Sequence, residues 1–488
     1  MLRFVADGDF AVPDLFPAAP ATTVRTIYYD TPERWLARSG VSLRYRGGEA
    51  WTVRLPAPKS GLEYDYSLPV TGTGVIPPEL LDLVTAHRRS AGLAAAVTLR
   101  TRRTAYELGF ADVVHDDVSV IDGRRVVARF HEIEVAPRQD RPKQLRRLEE
   151  ALLDAGAAPA DDVEPEHLRA LGPLEPAPLV RPAPLPPKAR AGEVVTEAIR
   201  RGVARIAGYD AFARLRETMP NGDTPVHQMR VGTRRLRSDL QTFQALLDPV
   251  WTGTLRVELS WLAEALGGAR DIEVLRDRLR QTAASDPLAP LDEAAVARID
   301  AALAERHEEA LAVLDEALHD PRYVLLLDAL VEAAATPRFT ALASERAADV
   351  LPGIVRRPWR RLVVGGGAAP GAGELTPDLP DDEWHEVRKR AKRARYAADA
   401  VSGVVGEDAV LLAKAIARAQ GVLGEHQDAA IAAETWLDIA AADPGDHAMA
   451  VTAGRLAERE RAAVTRSRAA FPAVWAAVIE EKNIAWLR

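Results

Sequence analysis

The chain has 488 residues, too many for one ordinary core, and with 47% hydrophobic and 27% charged residues it has the composition of a folded globular protein. A formal net charge of −8 argues against a general nucleic-acid binder, whose footprint is usually a basic domain. The absence of cysteine excludes disulfides, thiolate metal sites and cysteine nucleophiles, and with no apolar signal core and no uninterrupted run of about 20 apolar residues a cytoplasmic protein without a membrane partner is expected.

Residues 1–171 are mixed in character, and their periodicity is mostly two. Val24–Tyr29, Ser42–Arg46, Trp51–Leu55, Val97–Tyr106, Val118–Ile121 and Val126–Val135 are predicted strands, followed by a helix from Pro142 to Leu153. Turn signals at Arg46-Gly-Gly48 and Asp122-Gly123 suggest an antiparallel barrel or sandwich. Alternation puts Arg44 and Arg46 on one face, sets Arg54 opposite Trp51, Val53 and Leu55, and pairs Arg100 with Arg102 and Glu132 with Glu134. If these faces line an interior, the arginines suit the oxygens of a phosphate chain and the carboxylates suit magnesium or manganese. The alternative is the outward polar side of ordinary antiparallel strands.

A proline-rich stretch at 172–189 forbids helix interiors and reads as an extended spacer. Beyond it, residues 190–488 are almost wholly helical in pattern. Helices are expected at about 191–215, 224–247, 251–265, 270–282, 292–318 and 321–333, then at 340–351, 381–404, 407–423, 426–441, 446–470 and 472–481. Val364–Gly373 reads as a flexible linker between two halves, 190–363 and 374–488.

Each half carries the same basic signature. His227, Arg230, Arg234, Arg235 and Arg237 recur as His385, Arg388, Lys392, Arg393 and Arg395, with cations three, seven, eight and ten residues after the histidine. A second echo, Leu266-Gly-Gly-Ala-Arg270-Asp271 and Leu423-Gly-Glu-His426-Gln427-Asp428, ends 44 and 43 residues beyond its histidine. Matched motifs at matched separation point to an internal duplication. Offsets of zero, three, seven and ten fall within an arc of roughly 80° on a helix, so each copy forms one cationic stripe. Such like charges repel by a few tenths of a kcal/mol per pair, which a polyanion would offset. Internal pairing of the arginines within a helical scaffold is the competing reading.

These residues carry two resemblances. His227–Phe243, Leu266–Leu275, His385–Ala400 and Gln420–Asp428 resemble the four motif blocks of a CHAD domain, over roughly residues 190–488. That resemblance implies two pseudo-twofold-related four-helix bundles binding inorganic polyphosphate through His227, Arg230, Arg234, Arg235, Arg237, His385, Arg388, Lys392, Arg393 and Arg395, with Arg270, Lys414 and His426 as weaker candidates. Tyr28–Pro32, Leu43–Arg46, Trp51–Pro56, Thr101–Thr104 and Phe130–Val135 are similar to the blocks of a CYTH domain, over about residues 1–171. It implies an eight-stranded tunnel hydrolysing tripolyphosphate or organic triphosphates such as nucleoside triphosphates, with Arg44, Arg46, Arg54, Arg100 and Arg102 at the phosphates and Glu132 and Glu134 on a divalent cation. The family's opening Glu-x-Glu-x-Lys is missing, and only Arg3 stands in for its basic position. The expectation is an α+β two-domain chain that binds inorganic polyphosphate in the cytoplasm, with polyphosphate granules as one location. A metal-dependent triphosphatase is the alternative.

Overall fold

The computed structural model describes residues 2–13, 16, 20–58, 62–69, 75–160, 164–174, 182–186, 188–217, 223–367 and 369–487. The chain divides into two compact units, Met1–Pro178 and Leu179–Arg488. The proline-rich spacer expected at 172–189 lies in part, at 175–181 and 187, outside the described residues.

In the first unit the strands are β1 (Leu2–Asp7), β2 (Ala21–Asp30), β3 (Ser42–Arg46), β4 (Ala50–Pro56), β5 (Glu63–Pro69), β6 (Ala94–Glu107), β7 (Ala111–Asp122), β8 (Arg125–Pro137) and β9 (Ala158–Pro159). The helices are α1 (Trp35–Arg38), α2 (Pro78–Leu83), α3 (Thr85–Arg88), α4 (Pro142–Asp154) and α5 (Glu166–Leu171). The strands form one antiparallel sheet in the order β5-β4-β3-β2-β6-β7-β8-β1-β9. Among the described residues this sheet has nine strands and is not closed, where an eight-stranded barrel was expected. Each sheet face has its own apolar cluster. On one, Phe4, Val113, Ile133 and Val135 pack against Leu148 and Leu152 of α4, whose leucines recur at three- and four-residue spacing. On the other, Tyr28, Leu99, Val118, Val120 and Phe130 pack with Ala170 and Leu171 of α5.

The second unit contains α6 (Ala191–Leu215), α7 (Pro225–Thr242), α8 (Pro249–Ala284), α9 (Glu293–His319), α10 (Pro321–Ala335), α11 (Ala347–Val364), α12 (Asp381–Val405), α13 (Glu407–Ala441), α14 (His447–Val478) and α15 (Glu481–Ile484). Three expected breaks are absent. The helix α8 runs through Gly267 and Gly268, α13 through Gly421 and Gly424, and α14 through Pro472. A glycine costs a helix about 1 kcal/mol, and continuous buried stripes outweigh that: Leu259, Leu262, Leu266 and Ala269 in α8, and Ala419, Leu423, His426 and Ala429 in α13. In α11 the buried Leu351, Val355, Trp359 and Leu362 likewise carry the helix past Pro352 and Pro358, beyond its expected end at 351.

The helix contacts are reciprocal. The pairs α6–α11, α7–α12, α8–α13 and α9–α14 each touch, as do α6–α12 with α7–α11 and α8–α14 with α9–α13. A pseudo-twofold axis between repeats produces this pattern, because each element meets its own counterpart; with α11 the counterpart of α6, the repeats divide before α11 and not at the expected 364–373. The halves also share a core, in which Leu279, Ile299 and Leu303 pack with Trp436, Ile439 and Leu456. The described residues of the glycine-rich segment after α11, 365–367 and 369–373, are tied down by hydrogen bonds where a flexible linker was expected. The Gly366 amide donates to Ala369 at 3.2 Å, and Arg390 Nη1 donates to the carbonyl of Pro370 at 2.7 Å. At Gly371 a Cβ would sit 2.0 Å from the Val363 carbonyl, so no other residue fits there. Among the described residues no helix is long and apolar enough to cross a membrane.

Candidate anion-binding sites

In the first unit a cavity of about 840 Å³ lies on the sheet face that carries Leu99 and Phe130. Register brings Arg44 opposite Thr52 and Ser42 opposite Arg54, so Ser42, Arg44, Arg46 and Arg54 all turn into it. The arginines are held by acidic neighbours. Arg54 forks onto Asp65 at 2.7 and 2.9 Å and reaches Glu63 at 3.1 Å, Arg44 reaches Asp65 at 3.6 Å, and Arg46 reaches Glu49 at 3.3 Å. The Asp65 carboxyl is held below its usual range by the Arg54 hydrogen bond.

On β6 the phase is the reverse of that expected. Arg100 and Arg102 share the parity of Tyr106, which packs in the α4 cluster, and both are exposed. Thr101 and Arg103 line the cavity in their place, and Arg103 forks onto the buried Asp116 at 2.8 and 2.6 Å. The correct phase was legible from Val97 and Leu99, which alternate inward with Thr101 and Arg103.

Glu132 and Glu134 do face the cavity, as alternation predicts. Glu132 accepts from Arg169 Nη1 at 3.1 Å, and burial pushes its carboxyl up against that arginine's pull. Glu134 pairs with Arg3 at 3.1 Å, its register partner on β1, while Val5 stands opposite Glu132. Carboxylate oxygens are suitable ligands for magnesium or manganese. Here Arg169, Arg3 and Arg103 already neutralise Glu132, Glu134 and Asp116, and among the described residues no group of three or more His, Asp or Glu is placed to hold a metal ion. Among the described residues, then, these carboxylates are committed to arginines and are not gathered around a divalent-cation position.

The short helix α5, which periodicity did not reveal, supplies part of the wall. Its Arg169 lies 4.1 Å over the Phe130 ring, and His167 stacks on Tyr28 with centroids 4.6 Å apart. Burial, then Glu132 and Asp116, push the Glu166 carboxyl up to about 7. Burial, then Arg44 and Arg54, push the His167 imidazole down to about 4.

In the second unit a cavity of about 580 Å³ lies between the two repeats, lined by α7 and α12 with α8 and α13. It gathers His227, Arg230, Arg234, Arg270, His385, Arg388 and Lys392 from the expected set, with Asp271, Gln427 and Asp428 beside them. Both halves use one construction. Arg230 Nη1 pairs with Asp271 at 2.5 Å and its guanidinium lies across α8 at Gly267; Arg388 Nη2 pairs with Asp428 at 3.4 Å and lies across α13 at Gly424. In each case a Cβ on the glycine would sit 3.9 Å from the guanidinium. Among the described residues the buried Nε of each arginine has no hydrogen-bond partner.

Among the described residues Arg234 and Lys392, which line both the cavity and the depression beside it, make no ion pair. Burial first, then Arg234 and Arg388, pushes the Lys392 ammonium down to about 7. Arg234 is likewise lowered by burial and by Arg230. His227 and His385 are both lowered, chiefly by burial, and His385 Nδ1 lies 2.6 Å from Gln427 Oε1. Arg270 hydrogen-bonds Glu273 at 2.8 Å.

The remaining candidates separate. Arg237 and Arg393 line an adjoining depression of about 150 Å³ together with Arg234 and Lys392. Arg235 is turned inward, held by Asp239 at 3.2 Å, Asp399 at 3.1 Å and the Tyr396 carbonyl at 3.1 Å, so it is a structural cation. Arg395 reaches Gln420 at 3.2 Å and lines none of these cavities. Lys414 is exposed on α13, away from the cavity lining. His426 is 1% exposed, stacked on Trp384 at 5.0 Å with Arg468 3.1 Å from its Nε2, and burial pushes it down to about 4. It belongs to the core, and its place in a basic motif gave no sign of that.

The CYTH domain model matches residues 17–156, and the CHAD domain model matches residues 197–437. Two curated relatives, the uncharacterized proteins Rv2226 and MT2285 from two strains of Mycobacterium tuberculosis, are each 33% identical over 486 residues, covering 92% of this chain and 88% of theirs. Among solved structures, PptA from Streptomyces chartreusis matches at 24% identity and a TM-score of 0.46, covering 59% of this chain and all 100% of its own. The CHAD domain from the plant Ricinus communis matches at 22% and 0.40, covering 63% and 94%. The chain belongs to the family of proteins in which a CYTH domain is followed by a CHAD domain.

Proposed function

We propose that this protein binds inorganic polyphosphate, captured in the cavity between α7 and α12. The observation that carries the reading is the pair of pseudo-equivalent guanidiniums, Arg230 and Arg388, each with a buried Nε that has no partner, flanking the unpaired Arg234 and Lys392. A buried unsatisfied donor costs about 1–3 kcal/mol, and a phosphate oxygen satisfies it. The lining sets five cations against two aspartates, a balance suited to an anion. Its one Phe, Tyr or Trp side chain is Tyr396, so the cavity lacks the repeated large stacking platforms that single-stranded nucleic acid uses.

The test is titration of the full chain with inorganic polyphosphate across a salt series. By analogy with single strands, log affinity should fall by about 0.7 per phosphate contact per decade of salt. Arg234→Gln combined with Lys392→Gln should weaken binding by at least about tenfold and flatten the slope by roughly 1.4. An unchanged slope would remove these side chains from the site.

The first unit's cavity, with Arg44, Arg46, Arg54 and Arg103 on one wall, is suited to tripolyphosphate, a nucleoside triphosphate or the end of a polyphosphate chain. The second reading, a metal-dependent triphosphatase, is favoured by the four arginines turned into this cavity and by the general use of a divalent cation, magnesium or manganese, in CYTH domains. Phosphate release from tripolyphosphate with magnesium, abolished by Glu132→Ala, would support it. The expected location is the cytoplasm, on polyphosphate granules where these form.

A further inference from the structure

The duplication is broken around Arg235 and Arg393, and the break bears on how a polymer leaves the shared cavity. Corresponding positions of α7 and α12 are 158 residues apart, which matches Arg235 with Arg393, Ser238 with Tyr396, Asp239 with Ala397 and Gln241 with Asp399. Arg235 is neutralised by Asp239 and Asp399, and its guanidinium lies 4.9 Å over the Tyr396 ring. At the positions equivalent to those two aspartates, Arg393 meets Ala397 and Gln241. Among the described residues it makes no ion pair. Its charged surroundings are Arg361, Arg237 and Arg256, with Glu386 the one opposing carboxylate, itself paired with Lys389.

Space follows the same asymmetry. The depression that holds Arg237 and Arg393 shares Arg234, Lys392 and Tyr396 with the cavity. It shares Ser238, Gln241 and Arg393 with a further hollow of about 240 Å³ that reaches Arg361 of α11. Two polar atoms on this side are buried without partners, Ser238 Oγ at the junction of the two hollows and Arg256 Nε.

We propose that a polyphosphate chain held at Arg234 and Lys392 leaves the cavity on one side only, passing Arg237, Ser238 and Arg393 to reach Arg361. The inference rests on the polyphosphate-binding reading. It adds a direction and a second group of contacts, which only a chain longer than the cavity can reach. On the opposite side Asp239 and Asp399 cancel Arg235, and Arg395, the counterpart of Arg237, also pairs with Asp399 at 3.8 Å. An anionic chain there gains no unpaired partner.

The full chain is titrated with long-chain inorganic polyphosphate and with tripolyphosphate across a salt series, in wild type and in Arg361→Gln/Arg393→Gln. The ratio of long-chain to tripolyphosphate affinity should fall at least about tenfold in the double variant, and the long-chain salt slope should flatten by roughly 1.4 for two lost contacts. Arg361→Lys/Arg393→Lys should restore most of the slope, because the track reads charge. An unchanged ratio and slope in the glutamine variant overturns the track while leaving capture in the cavity standing. An equal loss in Arg235→Gln protein that melts like wild type overturns its one-sidedness. Wild type that binds neither phosphate overturns the functional reading, and the track with it.

Discussion

The two cavities are both arginine-rich, yet they differ in what holds the arginines. In the first unit Arg44, Arg46, Arg54 and Arg103 each face a carboxylate, as do Arg3 and Arg169. In the second, Arg234 and Lys392 face only other cations and more distant aspartates, and the ammonium of Lys392 is pushed down to about 7. A phosphate entering the first cavity must displace carboxylates, exchanging one ion pair for another. A phosphate entering the second relieves desolvation and repulsion already present in the free protein. Readiness for an anion is therefore set by unpaired charge, and a count of basic residues is a poor guide to it.

The strongest test of this contrast applies one operation, deletion of a cavity cation, to each unit. Arg103→Ala leaves the buried Asp116 without its forked partner and should cost about 2 kcal/mol of stability in denaturant unfolding, a moderate value because half of Arg103 is exposed. Lys392→Met removes a cation that has no ion pair. It should raise the stability of the free protein by about 1 kcal/mol while shrinking the rise in Tm on adding polyphosphate. Two losses of equal size would break the distinction between the cavities.

Much of this organisation was legible in the sequence. The histidine-led stripes gave α7 and α12, and the second echo, ending in Asp271 and Asp428, supplied the partners of Arg230 and Arg388. Strand alternation placed Arg44, Arg46, Arg54, Glu132 and Glu134 correctly on the cavity face. It failed on β6, where the visible cations at 100 and 102 outweighed the inward phase of Val97 and Leu99. The first half of β7 was missed because Asp112, His115, Asp116 and Asp117 interrupt apolar alternation. Arg235 and His426 share their motifs with true cavity residues, and only the three-dimensional placement of Asp239, Asp399 and Trp384 withdraws them. Nothing local distinguishes an arginine aimed at a ligand from one aimed at a distant aspartate.

The contrast extends to pH. Lys392 titrates near 7 in the free fold against an ordinary value of 10.5, so between those values the unfolded chain binds its proton and the folded chain does not. Stability of the free protein should rise with pH across that window and level off below it. Polyphosphate affinity should move the opposite way, strengthening several-fold as pH falls through about 7 and Lys392 gains its charge. Calorimetry in buffers of different ionisation heat would record proton uptake on binding, and Lys392→Met should abolish it.

The smallest effect is expected in the first unit. The Glu166 carboxyl, pushed up to about 7 by burial, Glu132 and Asp116, places a negative charge in that cavity above neutrality. Because its folded value lies above the ordinary 4.5, its contribution to stability is full below 4.5 and is lost as pH rises through about 7. Glu166→Gln should therefore raise Tm above neutrality and strengthen tripolyphosphate binding by roughly two- to fivefold at about pH 8, with little change near pH 5. Removal of the arginine-paired Glu132 next to it should lower Tm instead, since it strands Arg169 over Phe130. Opposite Tm shifts from two neighbouring carboxylates would show that pairing, and not charge alone, decides what each contributes to the stability of this wall.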